Sequence, residues 1–151
     1  MAKLTSRDFI DTDVLIQISQ CRLLQNIVDM EGYMALRRIE EDILLGLHCY
    51  NHVIATGGSA VYSPVAMEHL KSHGIVVFLD VDLSTLESRV RDFDTRGLAK
   101  RPDQSFSDLS KERIILYRKY ADVTIDCMGL SQEEVCAQII KRVKIGKPTR
   151  N

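Results

Sequence analysis

Tryptophan is absent from this sequence, and so are long apolar segments. Aromatic residues make up 6% of the 151 residues. No apolar run approaches the about 20 residues that a membrane-spanning helix needs. The first residues, MAKLTSRDFIDTD, also lack the apolar segment of a secretory signal peptide. We therefore expect a soluble, cytoplasmic protein with no membrane partner.

Cysteine is sparse and charge is balanced. The four cysteines include no C-x-x-C pair, so nothing indicates a zinc site or a redox motif. Lys and Arg number 20 against 21 Asp and Glu, and the formal net charge of −1 provides no basic field for non-specific nucleic-acid binding. We expect no nucleic-acid partner, and any anion site must be a local cluster of cations.

The length and composition are those of one globular domain, with 45% hydrophobic and 27% charged residues. Short apolar runs occur at 53–56 (VIAT), 75–79 (IVVFL) and 123–125 (VTI), and a shorter one at 9–10. Runs rich in Val and Ile are typical of strands buried in a parallel sheet. The segments between them have helical periodicity, which predicts an α/β domain.

Several local patterns predict where helices lie. Leu36, Ile39, Ile43 and Leu47 form an apolar stripe on a helix that leads into the Val53 strand. Three N-terminal signals follow: an N-cap with proline at Ser63-Pro64, and capping boxes at Ser84-x-x-Glu87 and Ser131-x-x-Glu134.

The segment 92–107, DFDTRGLAKRPDQSFS, lacks apolar periodicity and carries Arg96, Lys100 and Arg101. A loop of this length is usually a functional lid or a disordered segment. Its three cations favour a lid that covers an anion. The tail, 144–151, is predicted to be flexible.

Polar residues directly follow two of the apolar runs. Asp11-Thr12-Asp13 comes after the first, and Thr56-Gly57-Gly58-Ser59 after the second. Ligands of open parallel sheets bind at the carboxyl ends of the strands. The acids could hold Mg²⁺ through water and orient a hydroxyl, and the glycines could let a ligand approach the backbone. An acid pair here can also be only a helix cap, and two glycines only a turn.

Five motifs in register resemble those of the shikimate kinases. FIDTD resembles F-x-D-x-D, EGYMALRRIEED resembles G-E-x-x-F-R-x-x-E, and ATGGSAV resembles the Gly-rich substrate loop. KRP resembles the lid arginine-proline pair, and ERIILYRKYAD resembles R-x-x-L-Y-x-x-x-A-D. The resemblance runs from Met1 to about Ile140. It implies a three-layer α/β sandwich of the P-loop kinase type, with residues 1–143 as the domain.

The resemblance also implies roles on the acceptor side. Arg37 and Arg113 correspond to the two arginines that bind the carboxylate of shikimate, and Asp13 to the residue that positions and deprotonates the attacking hydroxyl. Gly57 and Gly58 correspond to the loop beneath the ring. We further expect Glu40 to support Arg37 as an i, i+3 partner.

On the nucleotide side, the implied cofactors are ATP and Mg²⁺. Asp11 corresponds to the acid that reaches the magnesium shell, and Arg101 to the lid arginine at the transferring phosphoryl group. Lys100 and Arg96 are alternatives for that lid cation, because the loop departs from the family's compact form.

The chain departs from the family's pattern at its start. Kinases of this fold carry a first strand and a G-x-x-x-x-G-K-[ST] loop before the D-x-D motif, but only MAKLTSRD precedes FIDTD here. Gly146-Lys147-Pro148-Thr149 is no substitute, since Pro148 interrupts the pattern. We expect the loop and the first, central strand to lie upstream of Met1. We also expect this chain alone to be inactive and either poorly stable or dependent on a partner.

Three further departures are Tyr33 in place of Glu, Leu36 in place of Phe and Ser59 in place of the third Gly of the substrate loop. Ser59 is expected to strain a backbone that glycine would relieve.

The function implied is ATP-dependent phosphorylation of the shikimate 3-hydroxyl in aromatic amino-acid biosynthesis, by a protein that is monomeric like most of its family. The alternatives are a non-catalytic shikimate-binding paralogue and a related small-molecule kinase such as a gluconate kinase. The two arginines favour a carboxylate acceptor.

Overall fold

Each apolar run of the sequence forms a strand in the computed structural model, which describes residues 1–89 and 97–144. The strands in these residues are β1 (Asp8–Asp11), β2 (His52–Ala55), β3 (Val77–Asp80) and β4 (Val123–Asp126). The helices there are α1 (Ala2–Thr5), α2 (Thr12–Gln20), α3 (Leu24–Glu31), α4 (Tyr33–Leu45), α5 (Pro64–His73), α6 (Leu83–Arg89), α7 (Phe106–Tyr120) and α8 (Gln132–Val143). A 3-10 helix spans Ala60–Tyr62.

The strands form two separate parallel pairs. β1 pairs with β2 from Asp8↔His52 to Asp11↔Ala55, and β3 pairs with β4 from Val77↔Val123 to Asp80↔Asp126. Each pair is joined through helices, as parallel pairing requires. Among the described strands, β2 and β3 belong to different sheets.

The helix-start predictions are right at two of three positions. The Ser63 hydroxyl accepts from the backbone N–H of Ala66 with Pro64 at the first helical position, and Ser131 and Glu134 form the predicted capping box. The capping box predicted at Ser84 does not form. α6 begins at Leu83, and Asp82 caps it by accepting from the backbone N–H and the hydroxyl of Thr85.

Parts of three predicted segments lie outside the described residues. They are Val90 of the helix predicted to begin at Ser84, residues 92–96 of the expected lid and residues 145–151 of the tail. The rest of the expected lid is divided. Residues 97–104 form a loop, whereas Ser105 caps α7 and the last two residues are helical. No helix within 1–89 or 97–144 is long and apolar enough to cross a membrane.

Helix α4 connects two hydrophobic clusters. Leu44 is fully buried in one of them, and Leu36, at 4% exposure, lies in the other with residues of α2 and α3. Ile39 and Ile43 pack against the second cluster and Leu47 against the first, as the predicted stripe requires. The second cluster also includes Ala99, which anchors the loop before α7 to the helices that follow β1.

Candidate functional site

A cavity of about 60 Å³ lies beyond the carboxyl ends of β1 and β2. Four residues singled out from the sequence line it together: Asp13 at the start of α2, Gly57 and Gly58 after β2, and Arg113 on α7. Its apolar wall is formed by Ile16, Leu24 and Leu36, and its loop side by residues 97–99. The polar groups therefore converge where ligands of parallel sheets bind.

The two glycines allow close contact with the functional side chains. A Cβ atom at Gly57 would lie 2.5 Å from Oε1 of Glu40 and 2.7 Å from Oδ1 of Asp13. One at Gly58 would lie 2.6 Å from Nη1 of Arg113. Since real Cβ atoms do not approach other atoms this closely, any larger residue would displace the carboxylates or the guanidinium.

Two carboxylates lie beside Gly57. Burial raises the pKa of Asp13, and the neighbouring charge of Asp11 raises it further. Glu40 is 2% exposed, and burial raises its pKa to about 7. Ser59 Oγ donates to Oε2 of Glu40, while Oε1 has no hydrogen-bond partner. The site thus holds one buried acid that changes charge near neutral pH.

Two guanidinium groups converge on a single backbone oxygen. Nη2 of Arg37 lies 3.1 Å, and Nη2 of Arg113 lies 3.2 Å, from the carbonyl oxygen of Ala99. The Nε atom of each arginine is buried and has no partner. Arg113 lines the cavity of about 60 Å³, whereas Arg37 lines a second cavity of about 230 Å³ that shares Glu40 and Ser59 with the first. Planar guanidinium forks match the geometry of a carboxylate.

The expected support of Arg37 by Glu40 is wrong. Glu40 is buried and bonds to Ser59 instead. Arg37 lies over the ring of Tyr62, with its Cζ atom 3.5 Å from the ring centroid. Tyr62 in turn donates from its hydroxyl to Oε1 of Glu112 at 2.6 Å. The i, i+3 spacing on α4 was correct, but tertiary contacts determine both side-chain positions.

The sequence analysis gave no role to Tyr62, Glu112 or Tyr117, although Tyr117 is the tyrosine of the R-x-x-L-Y motif and Glu112 directly precedes that motif. Tyr117 donates from its hydroxyl to the carbonyl oxygen of Gly58 at 2.9 Å, and this bond holds the Gly-rich loop against α7. The signal that could have found it is its position four residues after Arg113, one helical turn away. Tyr62 gave no such signal, because its contact with Arg37 depends on how the 3-10 helix packs on α4.

The lid cations that the structure describes lie at the edge of the cavity and do not line it. Nη1 of Arg101 lies 3.5 Å from Oε2 of Glu112, with the arginine side chain 52% exposed. Nζ of Lys100 donates to the carbonyl oxygen of Gln104. Arg96 lies outside the described residues.

Asp11 caps α2. Its Oδ1 atom accepts from the backbone N–H groups of Asp13 and Val14, at 3.0 and 3.4 Å. Within residues 1–89 and 97–144, no group of three His, Cys, Asp or Glu side chains could hold a metal ion. A single carboxylate nevertheless fits Mg²⁺, which keeps most of its waters and often takes only one or two carboxylates together with substrate phosphates.

The family model described as shikimate kinase matches residues 1–144. The chain is 33% identical to the shikimate kinase of Thermodesulfovibrio yellowstonii over 144 residues, which cover 93% of this chain and 83% of that protein. It is also 33% identical to the shikimate kinase of Pasteurella multocida, over 93% of this chain and 82% of that protein.

Solved structures give the same result. Shikimate kinase from Acinetobacter baumannii in complex with shikimate superimposes with a TM-score of 0.81 at 31% identity, covering 99% of this chain and 84% of that one. The enzyme from Aquifex aeolicus gives a TM-score of 0.80 at 28% identity, covering 95% and 84%. These matches do not favour a gluconate kinase.

Proposed function

Because this chain belongs to the shikimate kinase family, we propose that it binds shikimate in the cavity beside Asp13 and Arg113 and serves phosphoryl transfer from ATP to the 3-hydroxyl. This reaction belongs to aromatic amino-acid biosynthesis. The observation that carries the proposal is the convergence of Arg37 and Arg113 on one oxygen, each with a buried, unpartnered Nε atom.

The two arginines bind the carboxylate of shikimate. In the present conformation the Ala99 carbonyl accepts from both guanidinium groups, so an oxygen acceptor is already favourable at this point. A carboxylate brings two oxygens and a full negative charge, and charge-assisted hydrogen bonds are roughly twice as strong as neutral ones. The unpartnered Nε atoms provide the further donors that such a group needs.

Asp13 orients the attacking hydroxyl and accepts its proton at Oδ1. The raised pKa of this carboxyl makes it a better base than an exposed aspartate. The absence of a side chain at Gly57 leaves room for the carboxylates of Asp13 and Glu40 to lie against the loop. ATP with Mg²⁺ supplies the phosphoryl group that the hydroxyl attacks.

On the nucleotide side, Asp11 is proposed to reach the magnesium shell. One of the lid cations, Arg101, Lys100 or Arg96, is proposed to contact the transferring phosphoryl group. Residues 97–99 line the cavity, and Arg101 pairs with Glu112, which supports a role for this loop beside the acceptor. The 151 residues contain no G-x-x-x-x-G-K-[ST] motif, so the described residues supply mainly the acceptor side of the reaction.

Calorimetric titration of shikimate, and of an analogue without the carboxylate, tests the clamp. Arg37→Ala and Arg113→Ala should each weaken shikimate binding by about 2 to 5 kcal/mol, because the carboxylate keeps only half of its partners in a partly desolvated cavity. The double variant should lose less than the sum, because both arginines bind the same group.

Arg118→Ala is the matched control, since Arg118 lies on the same helix α7, pairs with Asp80 and is 64% exposed. It should leave shikimate affinity unchanged. Either of two results would show that the arginines do not bind the carboxylate. The first is that the analogue binds the wild-type protein as tightly as shikimate does. The second is that both single variants bind shikimate within about twofold of wild type, which is roughly 0.4 kcal/mol.

A further inference from the structure

We propose that Tyr62 is a positioning residue that makes the acceptor site selective for carboxylates, by holding the guanidinium group of Arg37 and linking it to Glu112. The proposal rests on the proposed function, since it concerns how the same site recognises shikimate. It extends that function to a residue outside the motifs on which the resemblance to shikimate kinases depends.

The stacking contact is close and specific. The Cζ atom of Arg37 lies 3.5 Å from the ring centroid of Tyr62, against 5.1 Å from that of Tyr33. A guanidinium carbon at 3.5 Å is in van der Waals contact with the ring face, which is the favourable geometry for a cation over an aromatic ring. Tyr33 also lies within the range of a cation–π interaction, but its ring is farther from Arg37 and makes the weaker contact.

Arg37 depends on this ring for its orientation. Within the described part of the chain, its one hydrogen bond goes to the Ala99 carbonyl oxygen, and its buried Nε atom has no partner. A single hydrogen bond does not fix the plane of a guanidinium group. The Tyr62 ring does fix it, and it leaves the edge of the group, with its remaining N–H donors, available to a ligand.

The ring is itself held in place by Glu112. The Tyr62 hydroxyl donates to Oε1 of Glu112 at 2.6 Å, while Oε2 accepts from Nε2 of Gln104 at 2.9 Å. Burial and the bond to Glu112 raise the pKa of Tyr62, which keeps the phenol protonated as a donor. Glu112 directly precedes Arg113 on α7, so its bond to Tyr62 connects the ring beneath Arg37 to the helix that carries Arg113.

This arrangement predicts a selective effect. Loss of the ring frees Arg37 to rotate away from the acceptor site. This weakens the binding of ligands that carry a carboxylate and leaves the binding of other ligands unaffected. Loss of the hydroxyl alone keeps the stacking contact and removes only its anchor. A tyrosine that merely filled space would affect both kinds of ligand equally, through the stability of the site.

The test compares Tyr62→Leu and Tyr62→Met, two apolar variants, with Tyr62→Phe, which keeps the ring, and with Tyr33→Leu as the control. In titrations, the apolar variants should bind shikimate about tenfold more weakly, or about 1.4 kcal/mol, and the carboxylate-free analogue within about twofold of wild type. Tyr62→Phe and Tyr33→Leu should stay within about threefold for both ligands.

A second readout does not require shikimate. In ¹H–¹⁵N spectra, assigned with an Arg37→Lys variant, the Nε–H group of Arg37 should give a slowly exchanging signal in wild type and in Tyr62→Phe. That signal should be lost in the apolar variants. If the wild-type protein binds no shikimate, the proposed function fails, and this spectrum still decides the role of Tyr62.

The proposal is overturned if either apolar variant keeps both the Arg37 signal and wild-type affinity for shikimate. It is also overturned if the analogue loses as much affinity as shikimate does, since the effect of Tyr62 would then be on the whole site. A Tyr62→Phe variant as weak as Tyr62→Leu would show that the ring is not what holds Arg37.

Discussion

Ser59 and Glu40 show how one substitution changes the chemistry of its neighbour. Ser59 stands where the shikimate kinases have a third glycine, and it was expected to strain the backbone. Its φ of −92° and ψ of −7° lie in a region that any residue adopts, so that expectation is wrong. Instead, its hydroxyl donates to Glu40, one of the few polar contacts available to this buried carboxylate.

Glu40 should make the stability of the protein depend on pH. Burial raises its folded-state pKa from 4.5 to about 7, so the folded state binds its proton more tightly than the unfolded state does. The stabilising contribution is therefore fully present below pH 4.5 and is lost as the pH rises through about 7. Glu40→Gln, which is neutral throughout, should lack this loss.

The measurement is urea unfolding of both proteins at several pH values. Between about pH 4 and pH 8, wild type should lose about 3 kcal/mol of unfolding free energy relative to Glu40→Gln. A constant difference between wild type and Glu40→Gln would mean that folding does not raise the pKa of Glu40.

Asp13 should be needed for turnover more than for binding. In a preparation that phosphorylates shikimate with ATP, Asp13→Asn should lower kcat at least tenfold, or roughly 1.4 kcal/mol, because an amide cannot accept the proton of the hydroxyl. Shikimate affinity should fall less, since the arginine contacts remain. A variant that keeps more than about a tenth of the wild-type kcat would exclude Asp13 as the base.

Among the elements, most predictions that depend on neighbouring residues are right, and the capping box at Ser84 is the exception. Strands follow from runs of Val and Ile, and the Ser131 box from four consecutive residues. At α6, two N-cap candidates lie two residues apart. Asp82 caps the helix because its two carboxylate oxygens accept from Ser84 and Thr85 together.

This distinction can be measured on the two helix starts. Ser131→Ala should lower the unfolding free energy by about 1 kcal/mol, and Asp82→Ala should also lower it, because each leaves N-terminal N–H groups without a partner. Ser84→Ala should cost much less, because Ser84 is not the cap. Urea denaturation curves decide the question, and equal losses at Asp82 and Ser84 would restore the predicted box.

The part of the candidate site that follows from the order of the strands could be predicted from the sequence. Asp13 and Gly57 follow adjacent parallel strands, so their convergence could be expected, and the family motif adds Arg113 from α7. What holds Arg37 could not be expected, because Tyr62 and Glu112 are 50 residues apart and meet only in the folded chain. Short motifs locate the groups that meet a ligand better than those that orient them.

At the scale of the whole molecule, the described strands form two separate two-stranded sheets. β2 and β3 each pair on one side only among the described strands. Phe9 in β1 and Leu79 in β3 remain 59% and 46% exposed, although such side chains are usually buried in parallel sheets. The low stability inferred from an incomplete sheet stays a prediction, and so does the monomeric state.

Residues 1–151 on their own should separate binding from catalysis. They contain the proposed acceptor site, with Arg113 in the cavity and Arg37 bonded to the same carbonyl oxygen, but no G-x-x-x-x-G-K-[ST] loop whose amides and lysine would hold the transferring phosphate. We therefore expect shikimate to bind in calorimetric titrations of these residues, and Arg113→Ala to weaken it. The same preparation should release no ADP above a heat-inactivated control when given ATP, Mg²⁺ and shikimate. If these residues do release ADP in the presence of shikimate, and Asp13→Asn abolishes that release, other groups in the chain must hold the phosphates. The lid cations Lys100 and Arg101 would then be the first residues to mutate.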